Sequence, residues 1–182
     1  MESFSQSVDS DGIDEFYSTN NTSGEEIDAA PHPNFVCMSV PPEGLYENTP
    51  ILPDTHSIRL LRLLPGGWHD DIHCEMRAVS LAKRPKYEAL SYTWGSVKTT
   101  ETIYVNKIPA QVTTNLRAAL RYLRKSSSSL TLWVDALCIN QSSTGEKSRQ
   151  VRLMSSIYKQ CSQVYAFLGP HTSRKGKFDD FT

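Results

Sequence analysis

This 182-residue chain has no stretch approaching the roughly 18 consecutive apolar residues that a membrane-spanning helix needs. Its opening, MESFSQSVDSDGIDEF, is acidic and polar, with neither a basic n-region nor an apolar h-region, which argues against a secretory signal. It also lacks an excess of charge: the net charge is −1, which by itself gives no electrostatic reason to expect nucleic acid or an anionic membrane surface as partner. The four cysteines stand singly, at 37, 74, 138 and 161, with no C-x-x-C pair. In a reducing compartment they read as free thiols, two of them small core residues, and the sequons at Asn21 and Asn140 have no route to glycosylation. There is no Walker loop, GxGxxG, HExxH or GxSxG sequence. A cytoplasmic location is the expectation.

What is present falls into three parts. Residues 1–56 are rich in Ser, Asp, Glu, Asn and Pro, with apolar residues too sparse to form a face. Such a segment cannot offset its ordering entropy and is expected to be disordered, with Pro41 to Pro53 an extended approach to the domain. Residues 57–170 form the expected domain, and 171–182 a polar C-terminal tail. Within the domain, Ile58–Leu64 ends at Pro65-Gly66-Gly67 and reads as a strand and turn, followed by a strand over Ile72–Ser80. Tyr87–Tyr92 is a short strand, and Thr102–Val105 with Ile108–Val112 a hairpin turning at Asn106-Lys107. Leu116, Ala119, Leu120 and Leu123 predict a helix over 115–125 with Thr114 as its cap. The run LTLWVDALCI, Leu130–Ile139, reads as one strand covered on both faces. A second helix is predicted over 145–161 with the stripe Val151, Met154, Ile157, Tyr158 and Cys161, and then a buried strand over Gln163–Leu168. Strand, helix, strand, helix, strand predicts right-handed crossovers on a parallel sheet, hence an α/β fold with an antiparallel β-hairpin addition.

Four blocks carry a resemblance to a known family: Ile58-Arg59-Leu60-Leu61 with Leu64-Pro65-Gly66; YEALSYTWG, 87–95; LWVDALCINQ, 132–141; and Glu146-Lys147, Gln150-Val151, Met154, Ile157-Tyr158 and Leu168-Gly169. In this order and spacing they resemble the fungal heterokaryon-incompatibility (HET) domain. The resemblance implies a module of non-self recognition that triggers or regulates programmed cell death, with other HET-domain or incompatibility proteins, or copies of itself, as partners. HET domains are distantly similar to TIR domains, which implies a TIR/flavodoxin-like parallel sheet, incomplete at the C-terminus in this chain. On that analogy YEALSY is the first strand, LWVDAL the second, SQVYAFLGP the third, and 139–145 a self-association loop. Many TIR domains cleave NAD with a glutamate on the helix after the third strand. Here that segment, HTSRKGKFDDFT, offers only Asp179 and Asp180. The expectation for this chain alone is therefore an interaction module without a cofactor, the alternative being a NAD glycohydrolase.

Candidate site residues follow from both readings. Asp135, inside an apolar run, must be paired, hydrogen-bonded or neutral, and could line a ligand cleft at a strand's carboxyl end or cap backbone N–H groups. Glu146 could act as a catalytic acid or close a capping box with Ser143. Tyr92, Trp94 and Gly95 could receive a nucleotide or simply close the core edge. Asn140 and Gln141 could brace their loop or bind a ligand. His69, Asp70, Asp71, His73 and Cys74 form a ligand-capable run without a second half-site, so an exposed polar turn, not a metal site, is expected. Arg117, Arg121, Arg124 and Lys125 make a basic stripe read as a solvated helix face.

Overall fold

Alternating burial builds the strands, and turn chemistry sets their order. The structure is a computed structural model in which residues 42–52, 56–96 and 98–169 are described. The disorder expected for residues 1–41 and the C-terminal tail, with Cys37, Asp179 and Asp180, lie outside the described residues. Strand β1, Ser57–Leu63, pairs antiparallel with β2, His73–Ser80, placing Leu61 opposite Met76 and Leu63 opposite Cys74. Strands β4, Thr100–Val105, and β5, Ile108–Thr113, form the expected hairpin. Both turn residues are left-handed, Asn106 at φ 52° and Lys107 at φ 67°, the geometry that matches the twist of the flanking strands. The Asn106 side chain accepts from Met76 N at 2.8 Å and donates to Met76 O at 3.3 Å, which ties the hairpin to β2.

Strands β3 (Glu88–Tyr92), β6 (Leu130–Trp133) and β7 (Val164–Phe167) are parallel, and the single seven-stranded mixed sheet runs β5-β4-β2-β1-β6-β3-β7. Helix α1, Thr114–Leu123, lies on the face bearing Leu90 and Phe167, where Tyr122 meets Phe167 at 5.7 Å between ring centroids. Helix α3, Thr144–Gln160, covers the opposite face: Tyr158 packs edge-on to Trp133 at 5.6 Å, and Tyr87 donates its hydroxyl to Ile157 O at 2.6 Å. Leu90, Leu132, Trp133 and Val134 are fully enclosed, as the central-strand reading required.

Several expectations are corrected. LTLWVDALCI is not one strand. The chain leaves β6 after Trp133 and turns once as the short helix α2, Asp135–Cys138, with Cys138 N donating to Val134 O at 2.7 Å. Ala136, Leu137 and Cys138 are all buried, and a buried helical turn has the same unbroken apolar signature as a buried strand. The last strand is not buried: β7 is a sheet edge, with Val164 46% exposed. Helix α1 is capped by Thr113, whose side chain accepts from Leu116 N at 3.3 Å, one residue before the expected cap. On α3 the expected Met154, Ile157, Tyr158 and Cys161 pack on the core, but Val151 is exposed; the polar Glu146 and Gln150 are buried instead, because Gln150 donates to Ser57 O at 2.9 Å and Glu146 meets an arginine. The folded body also reaches back past residue 57: Leu45, Tyr46 and Thr49 are buried.

Candidate functional site

At the carboxyl ends of β3 and β6 the chain turns sharply twice. After Tyr92 comes Thr93-Trp94-Gly95, with Gly95 at φ +72°. A Cβ there would sit 2.8 Å from the Asn115 amide nitrogen, which donates to Thr93 O at 3.0 Å, so both conformation and space require glycine. Trp94 Nε1 donates to Asp135 Oδ2 at 3.3 Å, while Asp135 Oδ1 accepts from Ala136 N at 2.7 Å. Gln141 Nε2 donates to the Asp135 carbonyl at 3.1 Å, and Asn140 Oδ1 accepts from Ser142 N at 3.1 Å. The fold thus brings Trp94, Asp135 and Gln141 together, with Asn140 bracing the loop that carries Gln141. Tyr92 is half-buried and packs against the core.

Burial pushes the Asp135 carboxyl above its ordinary value of 3.8, against the lowering pull of the hydrogen bonds from Ala136 and Trp94. Burial also raises the Tyr158 hydroxyl, and the nearby Asp135 charge adds to that effect. An acid whose folded value is raised holds its proton more tightly when folded. Its contribution to stability is present at low pH and is lost as pH rises through the folded value. The expected result is a Trp94 emission change centred above pH 3.8, abolished in Asp135→Ala and identified by its loss in Trp94→Phe. A transition at or below that pH would show that burial does not outweigh the hydrogen bonds from Ala136 and Trp94.

Joined to these turns through the Asn140 loop is a feature that reading the blocks separately did not find. Arg59, 2% exposed on β1, faces Glu146 with both ends engaged: Nη1 to Oε1 at 2.6 Å and Nη2 to Oε2 at 3.2 Å. Arg59 also donates to Thr49 O at 2.7 Å and Cys138 O at 3.2 Å, and its guanidinium lies 4.6 Å from the Tyr46 ring centroid. The Tyr46 hydroxyl reaches Leu137 O at 3.1 Å and Ile139 O at 3.2 Å. Ser143 caps α3 by accepting from Glu146 N at 3.3 Å, as the capping-box reading expected. The return bond differs. Glu146 Oε1 accepts from Asn140 N at 2.7 Å, not from Ser143, because the carboxylate is drawn toward Arg59. Glu146 therefore pins the 139–143 loop from behind and has both oxygens committed. An arginine inside the apolar run Ile58–Leu64 was the available signal, since a buried cation demands a carboxylate.

The other candidates resolve into structure. Asp70 Oδ2 accepts from Gly67 N at 2.7 Å within a turn, Cys74 is buried, and His73 stacks on Tyr104 at 4.9 Å. No cluster able to hold a metal occurs among the described residues. The basic stripe of α1 is not merely solvated. Arg121 donates to Trp68 O at 2.6 Å, Arg124 to Asp71 O at 2.6 Å and also to Gly67 O, and Arg117 pairs with Glu101, so the stripe clamps the β1–β2 loop and the hairpin.

Residues 87–181, from the residue before β3 onward, match the family described as Heterokaryon incompatibility protein (HET). The chain belongs to the HET family. It is 42% identical over 132 residues to the Neurospora crassa protein named Heterokaryon incompatibility protein 6, OR allele. That match takes in 65% of this chain but 19% of the relative, so the chain spans about a fifth of that protein's length. No solved structure matches it. The match begins at Tyr87 and so takes in Trp94, Asp135 and Glu146 but not Arg59. Half of the buried ion pair of this HET chain thus lies upstream of the family match. No helix among the described residues is long and apolar enough to cross a membrane.

Proposed function

We propose that this HET chain is a fungal non-self-recognition module that triggers or regulates programmed cell death by assembling with other proteins, HET-domain or incompatibility proteins among them, or with copies of itself, in the cytoplasm. The commitment of Glu146 carries this reading: both oxygens of that glutamate are engaged by Arg59 and Asn140, the arrangement of a structural brace and not of a free catalytic acid. The name of the Neurospora crassa relative supports the incompatibility role. A TIR/flavodoxin-like arrangement is supported by the order of the parallel strands, second-first-third in chain order, as at the start of a flavodoxin-like sheet.

The test is expression in a fungal host with and without a genetically incompatible partner strain. Partner-dependent loss of viability is expected, and its absence sinks the proposal. One observation favours NAD cleavage as a second reading: Trp94 and the raised Asp135 carboxyl sit at the carboxyl ends of parallel strands, where α/β folds bind nucleotides. Breaking the bond to nicotinamide requires a carboxylate fixed near the ribose to stabilise developing positive charge. Asp135 is already occupied by Trp94 and Ala136. Incubation with NAD should release no nicotinamide; robust turnover lost in a folded Asp135→Ala variant would reverse the preference.

A further inference from the structure

The net charge of −1 conceals a strong segregation. The first 58 residues contain 11 Asp and Glu and no Lys or Arg, whereas residues 59–169 hold 16 Lys and Arg against seven Asp and Glu. Part of that basic excess converges on one side of the sheet. Register places Arg62 between Glu75 of β2 and Thr131 of β6, and His73 opposite Tyr104 of β4. Because alternate residues share a face, Arg77 joins His73 and Glu75 there, on the same side as Trp133. Helix α3 covers that side over β6, where Tyr158 meets Trp133, while Arg62, His73, Glu75 and Arg77 are exposed.

A concavity of about 740 Å³ opens on this uncovered part, lined by Arg62, His73, Glu75, Arg77, Lys107 and Thr131 among others. Part of its lining is held in place. Arg62 bonds Ser129 Oγ at 3.0 Å and Glu75 Oε2 at 3.1 Å, His73 is stacked on Tyr104, and the clamp of Asn106 on Met76 holds the turn bearing Lys107 against β2. Glu75 is the sole acid lining the concavity and is already paired, while Arg77 and Lys107 have no acidic partner among the described residues.

We propose that this concavity is a docking surface for an extended, acidic segment of a partner protein. Charge complementarity selects the partner, since unpaired cations on a preorganised surface gain most from an incoming carboxylate. An extended strand also presents alternate side chains at about 6.6 Å, the spacing of positions 73, 75 and 77 along β2. A nucleic acid backbone fits less well, because its unbroken row of phosphates would meet Glu75 between the cations. The surface shares no lining residue with the Trp94–Asp135 pair and does not depend on the incompatibility reading.

The experiment uses the full chain and a short labelled peptide with Glu at alternate positions, its Gln counterpart, and polyuridylate, with binding followed by fluorescence anisotropy. The Glu peptide should bind and the Gln peptide should not. Raising salt from about 0.1 M to about 1 M, which shortens the Debye length from roughly 10 Å to roughly 3 Å, should abolish binding. Arg77→Glu combined with Lys107→Glu should weaken it about tenfold or more, since two exposed attractions become repulsions. Lys159→Glu, on α3, should leave it unchanged. Both variants alter exposed side chains, and an unchanged thermal melt confirms that they fold; Arg77→Gln, with a smaller loss, serves if the double variant does not. No binding of the Glu peptide at low salt, equal binding by the charge-reversed chain, or preference for polyuridylate would each overturn the proposal.

Discussion

Replacing Trp133 by alanine should destabilise the domain by about 3–5 kcal/mol, a large share of the 5–15 kcal/mol that holds a typical domain together. Trp133 is the largest fully buried side chain, at the end of β6 where that strand is paired with β3. Its ring packs against Tyr158, so truncation removes the sheet-side support of α3 as well as the buried indole area. Chemical denaturation followed by far-ultraviolet circular dichroism measures the effect. A cooperative unfolding curve within about 1 kcal/mol of the parent would contradict the observed burial. Trp133→Phe should be much milder. The indole Nε1 has no hydrogen-bond partner, so the phenyl ring forfeits no polar contact.

Arg59→Ala and Glu146→Ala should each destabilise by about 3–5 kcal/mol, because either change leaves an uncompensated charge in a buried site. The losses should not add. Arg59→Met with Glu146→Leu removes both charges and leaves only the backbone groups of Thr49, Cys138 and Asn140 without their partners. The double variant should therefore be markedly more stable than the sum of the single losses implies. A double-mutant cycle closed with the Arg59→Met and Glu146→Leu single variants reads the coupling directly, and additive losses would mean that the two side chains act separately. The same pair sets the backbone of the 139–143 loop. Hydrogen exchange at Asn140 and Ser142 should accelerate in Glu146→Ala even where the rest of the sheet stays protected.

Much of the fold was legible because it is local. The Asn106-Lys107 turn, the periodicity of α1 and the Ser143 cap each depend on residues within a few positions of one another. The three parallel strands were readable because short apolar runs alternated with helical patterns, and the HET blocks fell along them. Where the reading failed, distant groups decided the local outcome. Asp135 stands at a helical turn and not in a strand, because its carboxylate bonds the adjacent Ala136 N–H and meets Trp94, 41 residues away. On α3 the expected stripe holds at Met154, Ile157, Tyr158 and Cys161, but Val151 falls outside it and the polar Glu146 and Gln150 turn inward to Arg59 and Ser57 on β1.

Family and the coarse α/β class were legible in sequence alone, because hydrophobic periodicity and block spacing are properties of the chain read in order. Tertiary structure decided which carboxylates are committed. Glu146 resembles a catalytic acid until Arg59, 87 residues earlier, is seen to hold it, and Arg77 and Lys107 share a concavity only because β2 pairs with β1 and β4. Pairing and burial of charge depend on which surfaces meet after the chain has folded, and no local pattern encodes that meeting.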